Sequence, residues 1–396
     1  MRDNSLEKPG VSGLFLILKE VRLMEIKNIS PKMKPAYPVV KMNGNVYIGG
    51  FGTITQYDDS EGMINKLIEL MDGTNTVKDI TEVMLASYPS LTEAIVEEAI
   101  LDINNDGFLE DTNFVGSEVL SEYELNRYHR NINFFSTYSS LGMNKYEIQA
   151  KICNAKVCLI GLGGLGSHIA YDLAGLGVGQ IKAIEFDTVD LSNLNRQILY
   201  NYEDIGKQKA KLAEERIKAF NPEIKFETVE LKISSSEDVY NEIKDFDYVI
   251  LVADRPKTLL ARWVNEAIVK AGVPLLTAGL EAQRAMHYTV IPGVTGCIEC
   301  WMNSVENKDP VSFAILEERR RLNLTGDNTA IVPLVSTITG FICAELVRLI
   351  TGIRKSTSTG KLISIDFDTM TTNIAEEWEK QPGCEMCSKI TDEIGV

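Results

Sequence analysis

The chain has 396 residues, of which 44% are hydrophobic, and its formal net charge at pH 7 is −16. This length predicts two domains, or one large domain with an appendage. So acidic a chain is unsuited to nonspecific binding of nucleic acid or of an anionic membrane, because both require a basic surface. No apolar run reaches the roughly 18 residues of a membrane span. We therefore expect a cytoplasmic protein with no nucleic-acid partner and no membrane partner.

The N-terminal third of the chain divides into a tail and two further segments. The apolar stretch at 13–18 is followed at once by charged residues, which argues against a signal peptide, and Met24 is a second candidate start of translation. The chain as a whole has four predicted segments: a tail and irregular arm (1–36), a small winged-helix-like domain (37–113), a linker and dimer arm (114–150), and a larger α/β domain (151–396).

The segment 37–113 shows the pattern of a small mixed domain. Short strand candidates, broken by an Asn43-Gly44 turn, precede three stretches with apolar residues at helical spacing. Ser90 is expected to be the N-cap of the third helix. A short strand at Phe108-Leu109 is expected to close the domain.

The most informative feature is a glycine-rich loop that follows a predicted buried strand at 157–160. Its glycines are Gly161, Gly163, Gly164 and Gly166. Glycines allow the backbone to turn tightly and to approach a phosphate, whose charge is met by the amides at the start of the next helix. That helix is expected to open at Ser167. Because many NAD and FAD enzymes share such a loop, the loop alone does not identify the ligand.

A polar cluster follows the glycine loop, and it narrows the choice of ligand. A second strand is predicted at 180–186, and another at 248–253 ends in Asp254. The polar residues are Glu185, Asp187, Asn193, Arg196, Lys209 and Asp254. An acid about 20 residues beyond the glycines is also typical of an NAD site. An Arg and a Lys just beyond a mononucleotide-binding turn favour a triphosphate over a nicotinamide.

The rest of the larger segment predicts a layered α/β fold. Alternation of strands and helices after residue 156 is typical of a parallel sheet. Further strands are expected at 275–278, 285–291 and 362–366. A long apolar helix is expected at 335–349.

Four of the seven cysteines form two CxxC pairs, Cys297 with Cys300 and Cys384 with Cys387. Two such pairs can complete the tetrahedral shell of one Zn²⁺. Because the pairs are far apart in sequence, the zinc would be a structural clip that ties the C-terminus to the core. Free thiols or disulfides are the alternative, and a cytoplasmic location disfavours disulfides.

From about residue 118 to its end, the sequence resembles the ubiquitin-activating-enzyme-like (ThiF/MoeB/HesA) adenylyltransferase family. The motifs that carry the resemblance are Arg127-Tyr128-His129-Arg130, the glycine loop, Glu185-Phe186-Asp187, the run 192–197, Lys209, Ala253-Asp254 and both CxxC pairs. Within the family it is most similar to the MccB-type enzymes, which adenylylate the C-terminus of a short ribosomal peptide. The resemblance implies a Rossmann-like domain with a mixed sheet.

The resemblance also implies roles for particular residues, with ATP, Mg²⁺ and Zn²⁺ as cofactors. The glycine loop would line the nucleotide, and Glu185, beside Asp187, would hold the ribose hydroxyls. The family usually has Asp where this chain has Glu185. The implied phosphate contacts are Asn193, Arg196 and Lys209, and the implied Mg²⁺ ligand is Asp254. Arg130 would reach the triphosphate of the other subunit, so a homodimer is expected.

The segment 37–113 resembles the precursor-peptide recognition elements of ribosomal peptide biosynthesis. Such elements bind a leader peptide as an added edge strand through main-chain hydrogen bonds. The resemblance implies a short precursor peptide as partner. A winged helix with only a structural role is the alternative.

Two alternatives to peptide adenylylation stay open from the sequence. In the first, the chain is a sulfur-carrier-protein adenylyltransferase of the thiamine or molybdopterin pathway, and its substrate is a small protein that ends in Gly-Gly. That group often has a Cys in the segment after the first CxxC pair, whereas 301–331 has none. In the second, the chain is a non-catalytic scaffold that binds a precursor peptide. The intact polar cluster favours an active enzyme.

Overall fold

The computed structural model describes residues 26–50, 53–256, 259–322, 324 and 329–389. The predictions that concern the stretch 13–18 and Met24 lie outside these residues. The chain divides into two compact units, Met1–Ala150 and Lys151–Val396.

The described part of the N-terminal unit contains two small antiparallel sheets. The first pairs β1 (Pro31–Met33) with β5 (Leu109–Asp111). The second has the order β2-β3-β4, with β2 at Val39–Met42, β3 at Asn45–Gly50 and β4 at Thr53–Asp58. Asn43 and Gly44 both have positive φ and join β2 to β3, as the sequence predicts. Residues 31–33 lie in the segment expected to be a tail and irregular arm, and here the chain is a regular strand that pairs with the closing strand.

Six helices follow the strands or connect them to the second unit. They are α1 (Met63–Leu70), α2 (Val77–Ser87), α3 (Glu93–Asn105), α4 (Glu122–Arg127), α5 (His129–Ser136) and α6 (Lys145–Asn154). The hydroxyl of Thr92 caps α3 by accepting the N–H of Ile95. Ser90 is not the cap, because it lies in the preceding turn, which the Leu91 N–H closes onto the Tyr88 carbonyl. The segment 114–150, expected to be a linker and dimer arm, is mostly helical.

The C-terminal unit is built on an eight-stranded sheet with the order β13-β12-β11-β10-β9-β6-β7-β8. The strands are β6 (Lys156–Ile160), β7 (Gln180–Ile184), β8 (Lys225–Val229), β9 (Tyr248–Leu251), β10 (Leu275–Glu281), β11 (Arg284–Val290), β12 (Lys361–Asp366) and β13 (Thr372–Glu377). The strands from β8 to β10 pair in parallel. From β10 to β13 they pair antiparallel. The sheet is therefore mixed, as the resemblance implies, and only its part from β8 to β10 has the parallel pairing that the alternation of strands and helices predicts. A two-residue turn at Ala282 and Gln283 makes an antiparallel hairpin of β10 and β11.

Seven helices accompany this sheet in the described part of the chain. They are α7 (Gly164–Leu176), α8 (Lys209–Phe220), α9 (Ser236–Ile243), α10 (Leu259–Ala271), α11 (Ile298–Lys308), α12 (Pro310–Arg321) and α13 (Val332–Thr351). Helix α7 begins at Gly164 rather than at Ser167, because the last glycines of the loop already form its first turn. Strands β7 and β9 each end two residues earlier than expected, which leaves Glu185 and Ala253 in loops.

Helix α13 is 20 residues long, five more than the apolar run predicts. By length and composition alone it could cross a bilayer, but half of its apolar window is buried within the protein. Its buried side chains recur at helical spacing, as in Leu334, Ile338, Ile342 and Leu346. They pack against α7 and against β10 and β11, so α13 is a core helix of this unit.

Candidate functional site

Three loops carry the predicted site residues, and all three leave the sheet at the same edge. Strand β6 pairs in parallel with β7 on one side and with β9 on the other. The glycine loop follows β6, Glu185 follows β7, and Asp254 lies three residues after β9. A Cβ on Gly161 would lie 3.0 Å from the backbone nitrogen of Ala253. The structure therefore brings the glycine loop and the Ala253-Asp254 loop together, at the crevice where parallel α/β sheets bind ligands.

The glycines of the loop are required by close backbone approach. Gly161 has φ of +104°, a region that other residues rarely adopt. A Cβ on Gly166 would lie 1.9 Å from the carbonyl oxygen of Gly161. Gly163 precedes α7, and no side chain caps this helix end. The N–H groups of its first turn are therefore available to an anion.

Glu185 is buried and holds the glycine loop. Its Oε2 accepts the backbone N–H of Leu162 at 2.9 Å. Its Oε1 accepts the N–H groups of Phe186 and Asp187 at 2.8 and 2.9 Å. Only 7% of Glu185 is exposed. The carboxylate thus fixes the loop geometry from the neighbouring strand, and its expected contact with a ribose stays a prediction.

Arg196 lies beside the first turn of α7. Its side chain comes within 3.4 Å of the position that a Cβ on Gly164 would take. The guanidinium is oriented by bonds to the Ser192 carbonyl at 3.0 Å and to Oδ1 of Asn195 at 2.8 Å. Asn193 is part of the same turn, where its Oδ1 accepts the N–H of Asp190 at 3.1 Å. A positive charge therefore stands next to the amides of the glycine loop.

Lys209 opens helix α8 and is 4% exposed. Its Nζ lies 3.9 Å from Oδ2 of Asp187, and its backbone N–H donates to the Asp187 carbonyl at 3.1 Å. Burial of an ammonium group is costly unless anionic or polar partners surround it. Asp187 and Asp254 are both exposed, so their carboxylates can meet a cation from solvent.

Arg130 lies on α5 and is exposed. It belongs to the N-terminal unit, whereas all the residues above belong to the C-terminal unit. Its contact with the triphosphate of another subunit stays a prediction.

Two side chains that sequence reasoning gave no role brace the site. The Tyr200 hydroxyl donates to the carbonyl of Leu162 at 2.9 Å. Nε2 of His168 lies 3.2 Å from the carbonyl oxygen of Arg196. Both contacts hold backbone atoms, and neither residue type nor spacing predicts them. His168 is the easier to find, since it follows the glycine loop by two residues.

The four cysteines of the CxxC pairs meet in one buried cluster, in which all four sulfur atoms lie within 4.8 Å of one another. The Sγ–Sγ distance is 3.9 Å between Cys297 and Cys300, 3.8 Å between Cys297 and Cys384, and 3.6 Å between Cys300 and Cys387. Four sulfurs at about 2.3 Å from a central zinc stand about 3.8 Å apart in a tetrahedron. The cysteines are not paired as disulfides. The cluster thus has the size and donor set of a structural zinc site.

Neighbouring residues position the first cysteine pair. Oδ1 of the buried Asn265 accepts the N–H of Ile298 at 2.9 Å. Nε1 of Trp378 donates to the Gly296 carbonyl at 3.0 Å. A Cβ on Gly296 would lie 2.5 Å from the carbonyl oxygen of Glu379, so the backbone at Glu379 can approach this closely only because residue 296 has no side chain. Burial raises the pKa of the Cys300 thiol to about 11. Without a cation, burial therefore favours the thiol over the thiolate.

A separate cavity of about 610 Å³ lies between α13 and strands β11 to β13, and none of the site residues above lines it. His287 faces it with only 1% of its surface exposed. Both ring nitrogens of His287 lack a hydrogen-bond partner in the described structure, and burial lowers the pKa of the ring. This cavity is therefore distinct from the glycine-loop site.

Comparison with known sequences points to one family. The sequence profile of the ThiF family matches residues 128–386. The chain is 31% identical over 207 residues to the sulfur carrier protein ThiS adenylyltransferase of Bacillus subtilis, which covers 52% of this chain and 56% of that protein. It is 34% identical over 182 residues to a sulfur carrier protein adenylyltransferase of Thermus thermophilus. This match covers 45% of this chain and 64% of that protein. The chain thus spans less than two thirds of the length of these two relatives.

Comparison with solved structures extends the likeness to the N-terminal unit. The crystal structure of Escherichia coli MccB with AMPCPP and selenomethionine MccA matches with a TM-score of 0.71 and 23% identity. The match covers 90% of this chain and 99% of that one. At this level of identity the likeness establishes the fold alone. The fold expected from the sequence, a Rossmann-like α/β domain with a mixed sheet and a small N-terminal domain, is confirmed.

Proposed function

The chain belongs to the ThiF family, and from this premise we propose that it uses ATP to adenylylate a substrate carboxylate and releases pyrophosphate. One observation carries the proposal. The uncapped first turn of α7 lies in the segment that follows β6, and the guanidinium of Arg196 and the ammonium of Lys209 lie in the segment that follows the neighbouring β7. Such a set of donors and positive charges fits a polyphosphate.

The reaction needs positioning and charge stabilisation more than covalent chemistry from the protein. A carboxylate oxygen of the substrate forms a bond to the α-phosphorus of ATP. The bond from this phosphorus to the oxygen that bridges to the β-phosphate breaks, and pyrophosphate leaves with the electron pair. Groups aimed at the charge that develops during such a transfer supply most of the catalysis.

Each site residue has a role in this proposal. The amides of the glycine loop and of the first turn of α7 bind the phosphates. Arg196 and Lys209 neutralise the charge that passes to pyrophosphate, and Asn193 adds a neutral contact. Asp254 would hold Mg²⁺, which supplies further neutralisation of the phosphates when it is bound. Glu185 holds the loop in the shape that accepts the nucleotide, and the ribose lies beside it.

The cysteine cluster has a structural role in the proposal. Zn²⁺ held by four buried thiolates has no open coordination position, so it does not act on substrate. It links the segment around Cys384 to the start of α11. Arg130 reaches the triphosphate of a second subunit, so the active form is a homodimer.

We favour a short ribosomal peptide as the carboxylate substrate. The fold likeness to MccB covers 90% of the chain, whereas the two sulfur-carrier relatives match about half of it. Within the described residues, the three-stranded sheet of the N-terminal unit has β2 and β4 as its edge strands. An extended peptide can add to such an edge by main-chain hydrogen bonds. The names of the two relatives support a second candidate, a sulfur carrier protein.

Pyrophosphate release by the full-length protein separates these candidates. ATP and Mg²⁺ would be supplied with synthetic peptides encoded by short open reading frames beside the gene, or with small proteins that end in Gly-Gly. We expect release with a peptide, together with a peptide mass increased by one adenylyl group. Release with the Gly-Gly proteins alone would favour the sulfur-carrier function. Release with neither class, from protein that binds ATP, would contradict the proposed activity.

A further inference from the structure

A second cavity, of about 260 Å³, opens on the N-terminal unit where β4 ends. Apolar side chains from three helices line it, among them Leu67 of α1, Met84 of α2 and Ala99 of α3. It is smaller than the cavities of about 300–1,000 Å³ that hold drug-sized ligands. It has room for one or two apolar side chains. Ile95 of α3 also lines the cavity and is 48% exposed, so an apolar surface continues outside it.

Carboxylates from the end of β4 and from the turn that follows it also line this cavity. They belong to Asp58, Asp59 and Glu61. Asp59 caps α1, because its oxygens accept the N–H groups of Ile64 at 2.7 Å and of Asn65 at 3.2 Å. Asp58 and Glu61 are exposed, and neither takes part in an ion pair within the described residues. Two carboxylates therefore stand at the rim with their charge open to solvent.

The charge of the whole domain has the same sign as this rim. Residues 37–113 carry 14 Asp and Glu against three Lys and no Arg. A surface of one sign attracts partners of the opposite sign and repels those of its own sign. A basic segment that also offers an apolar side chain to the cavity therefore complements this surface in both charge and polarity.

We propose that this cavity binds a segment of the precursor peptide in which an aliphatic or aromatic residue has Lys or Arg two positions away on either side. The proposal rests on the proposed function and specifies the chemistry of its peptide. The apolar side chain fills the cavity, and the basic neighbours meet Asp58 and Glu61. In an extended peptide successive side chains point to opposite faces, so residues two apart share a face and reach the cavity and its rim together.

Three short fluorescein-labelled probe peptides test this inference by fluorescence anisotropy on the full-length protein. All share a Thr-Ile-Thr centre, and the residue on each side of this centre is Lys, Gln or Glu. Each of these side chains therefore lies two residues from Ile and on the same face. At about 0.05 M salt, where screening is weak, the Lys probe should bind at least about fivefold more tightly than the Gln probe, as two exposed charge pairs allow. The Glu probe should bind most weakly.

Matched variants locate the effect at the cavity. Asp58→Asn with Glu61→Gln should abolish the preference for Lys. Glu82→Gln with Glu118→Gln removes the same charge from exposed sites that do not line the cavity, and it should keep the preference. Ala99→Leu should weaken all three probes by filling the cavity, while ATP binding stays unchanged.

Three results would overturn the inference. They are equal binding of the Lys and Gln probes, a preference that survives the rim substitutions, and a change of oligomeric state in Ala99→Leu. The last would show that the cavity is an interface between copies of this chain. Failure of the proposed function can be told apart from failure of this inference, because the wild type would then release no pyrophosphate whatever the probes show.

Discussion

Glu185 and Leu162 are joined by a 2.9 Å hydrogen bond from the Leu162 N–H to Oε2, which ties the end of β7 to the glycine loop after β6. The other carboxylate oxygen accepts two further N–H groups, those of Phe186 and Asp187. Because both oxygens are engaged and the residue is buried, this side chain is a principal support of the loop, beside the Tyr200 hydroxyl that donates to the Leu162 carbonyl.

Removing this carboxylate should destabilise the protein. Glu185→Ala leaves three N–H groups without their acceptor, and each hydrogen bond to a charged group contributes about 1.5–3 kcal/mol. We expect the free energy of unfolding in urea to fall by about 3 kcal/mol or more. Glu203→Ala, at an exposed carboxylate of the same unit, should change it by less than about 0.5 kcal/mol. Equal losses in the two variants would show that Glu185 does not brace the loop.

The glycine loop should tolerate no side chain at Gly166. Its Cβ would lie 1.9 Å from the Gly161 carbonyl oxygen, so Gly166→Ala must displace the loop. We expect loss of ATP binding, measured by calorimetry. Gly175→Ala lies on the same helix, with nothing within 4 Å of the added carbon. It should bind ATP normally and gain up to about 1 kcal/mol in stability. ATP binding by Gly166→Ala at wild-type strength would contradict the close approach.

The cysteine cluster should hold one zinc per chain. Cys384→Ser removes one of four buried ligands, and metal analysis should then show loss of zinc, accompanied by a lower melting temperature. Cys153→Ser, at a thiol outside the cluster, should retain the zinc. A wild-type protein without zinc, or a Cys384→Ser variant with unchanged zinc and stability, would refute the assignment.

Lys34 should make stability depend on pH in the alkaline range. Its Nζ is buried and donates to the carbonyls of Gly107 and Ser139 at 2.7 and 2.6 Å. Burial lowers the pKa of Lys34 from 10.5 to about 8. Between these two values the unfolded state binds more protons than the folded state, so stability rises with pH. Below the lower value the cost of burying the charge is fully present.

The corresponding measurement compares wild type with Lys34→Met from pH 7 to 10. The stability advantage of the wild type should grow with pH above about 8, by at most about 1.4 kcal/mol per pH unit. Lys78→Met, at an exposed lysine of α2, should show no such trend relative to wild type. A constant difference between wild type and Lys34→Met would contradict the lowered pKa.

The positions of the site loops could be predicted from the sequence, because the ends of buried strands and glycine-rich loops have recognisable local patterns. Val157–Ile160 is a buried run, and the glycines after it mark the turn into α7. The positions of Glu185 and Asp254 follow from this, since the C-terminal ends of parallel strands share one edge of a sheet. The sequence also predicted that the two CxxC pairs lie together, because two residues between cysteines is the spacing at which both thiolates can bind one metal ion.

Other features depend on tertiary contacts that no local pattern records. The hairpin of β10 and β11 turns at Ala282, where φ is +51°, and neither Ala282 nor Gln283 is typical of such a turn. Strand β13 has mostly exposed side chains, so it lacks the apolar run that marks a core strand. The role of Tyr200 depends on its reach to the Leu162 carbonyl across the fold. The segment at 31–33 pairs with a strand that lies almost 80 residues later in the chain.

ATP–pyrophosphate exchange in the presence of a substrate carboxylate tests the central claim most directly. We expect exchange by the wild type, and a loss of at least about 100-fold in Arg196→Ala and in Asp254→Ala, as is usual when charge stabilisation of a transition state is removed. Lys211→Ala, at an exposed lysine two residues from Lys209, should exchange like the wild type. Circular dichroism and zinc content should be the same in all four proteins. Exchange near the wild-type rate in both Arg196→Ala and Asp254→Ala would contradict the adenylyltransferase site described above.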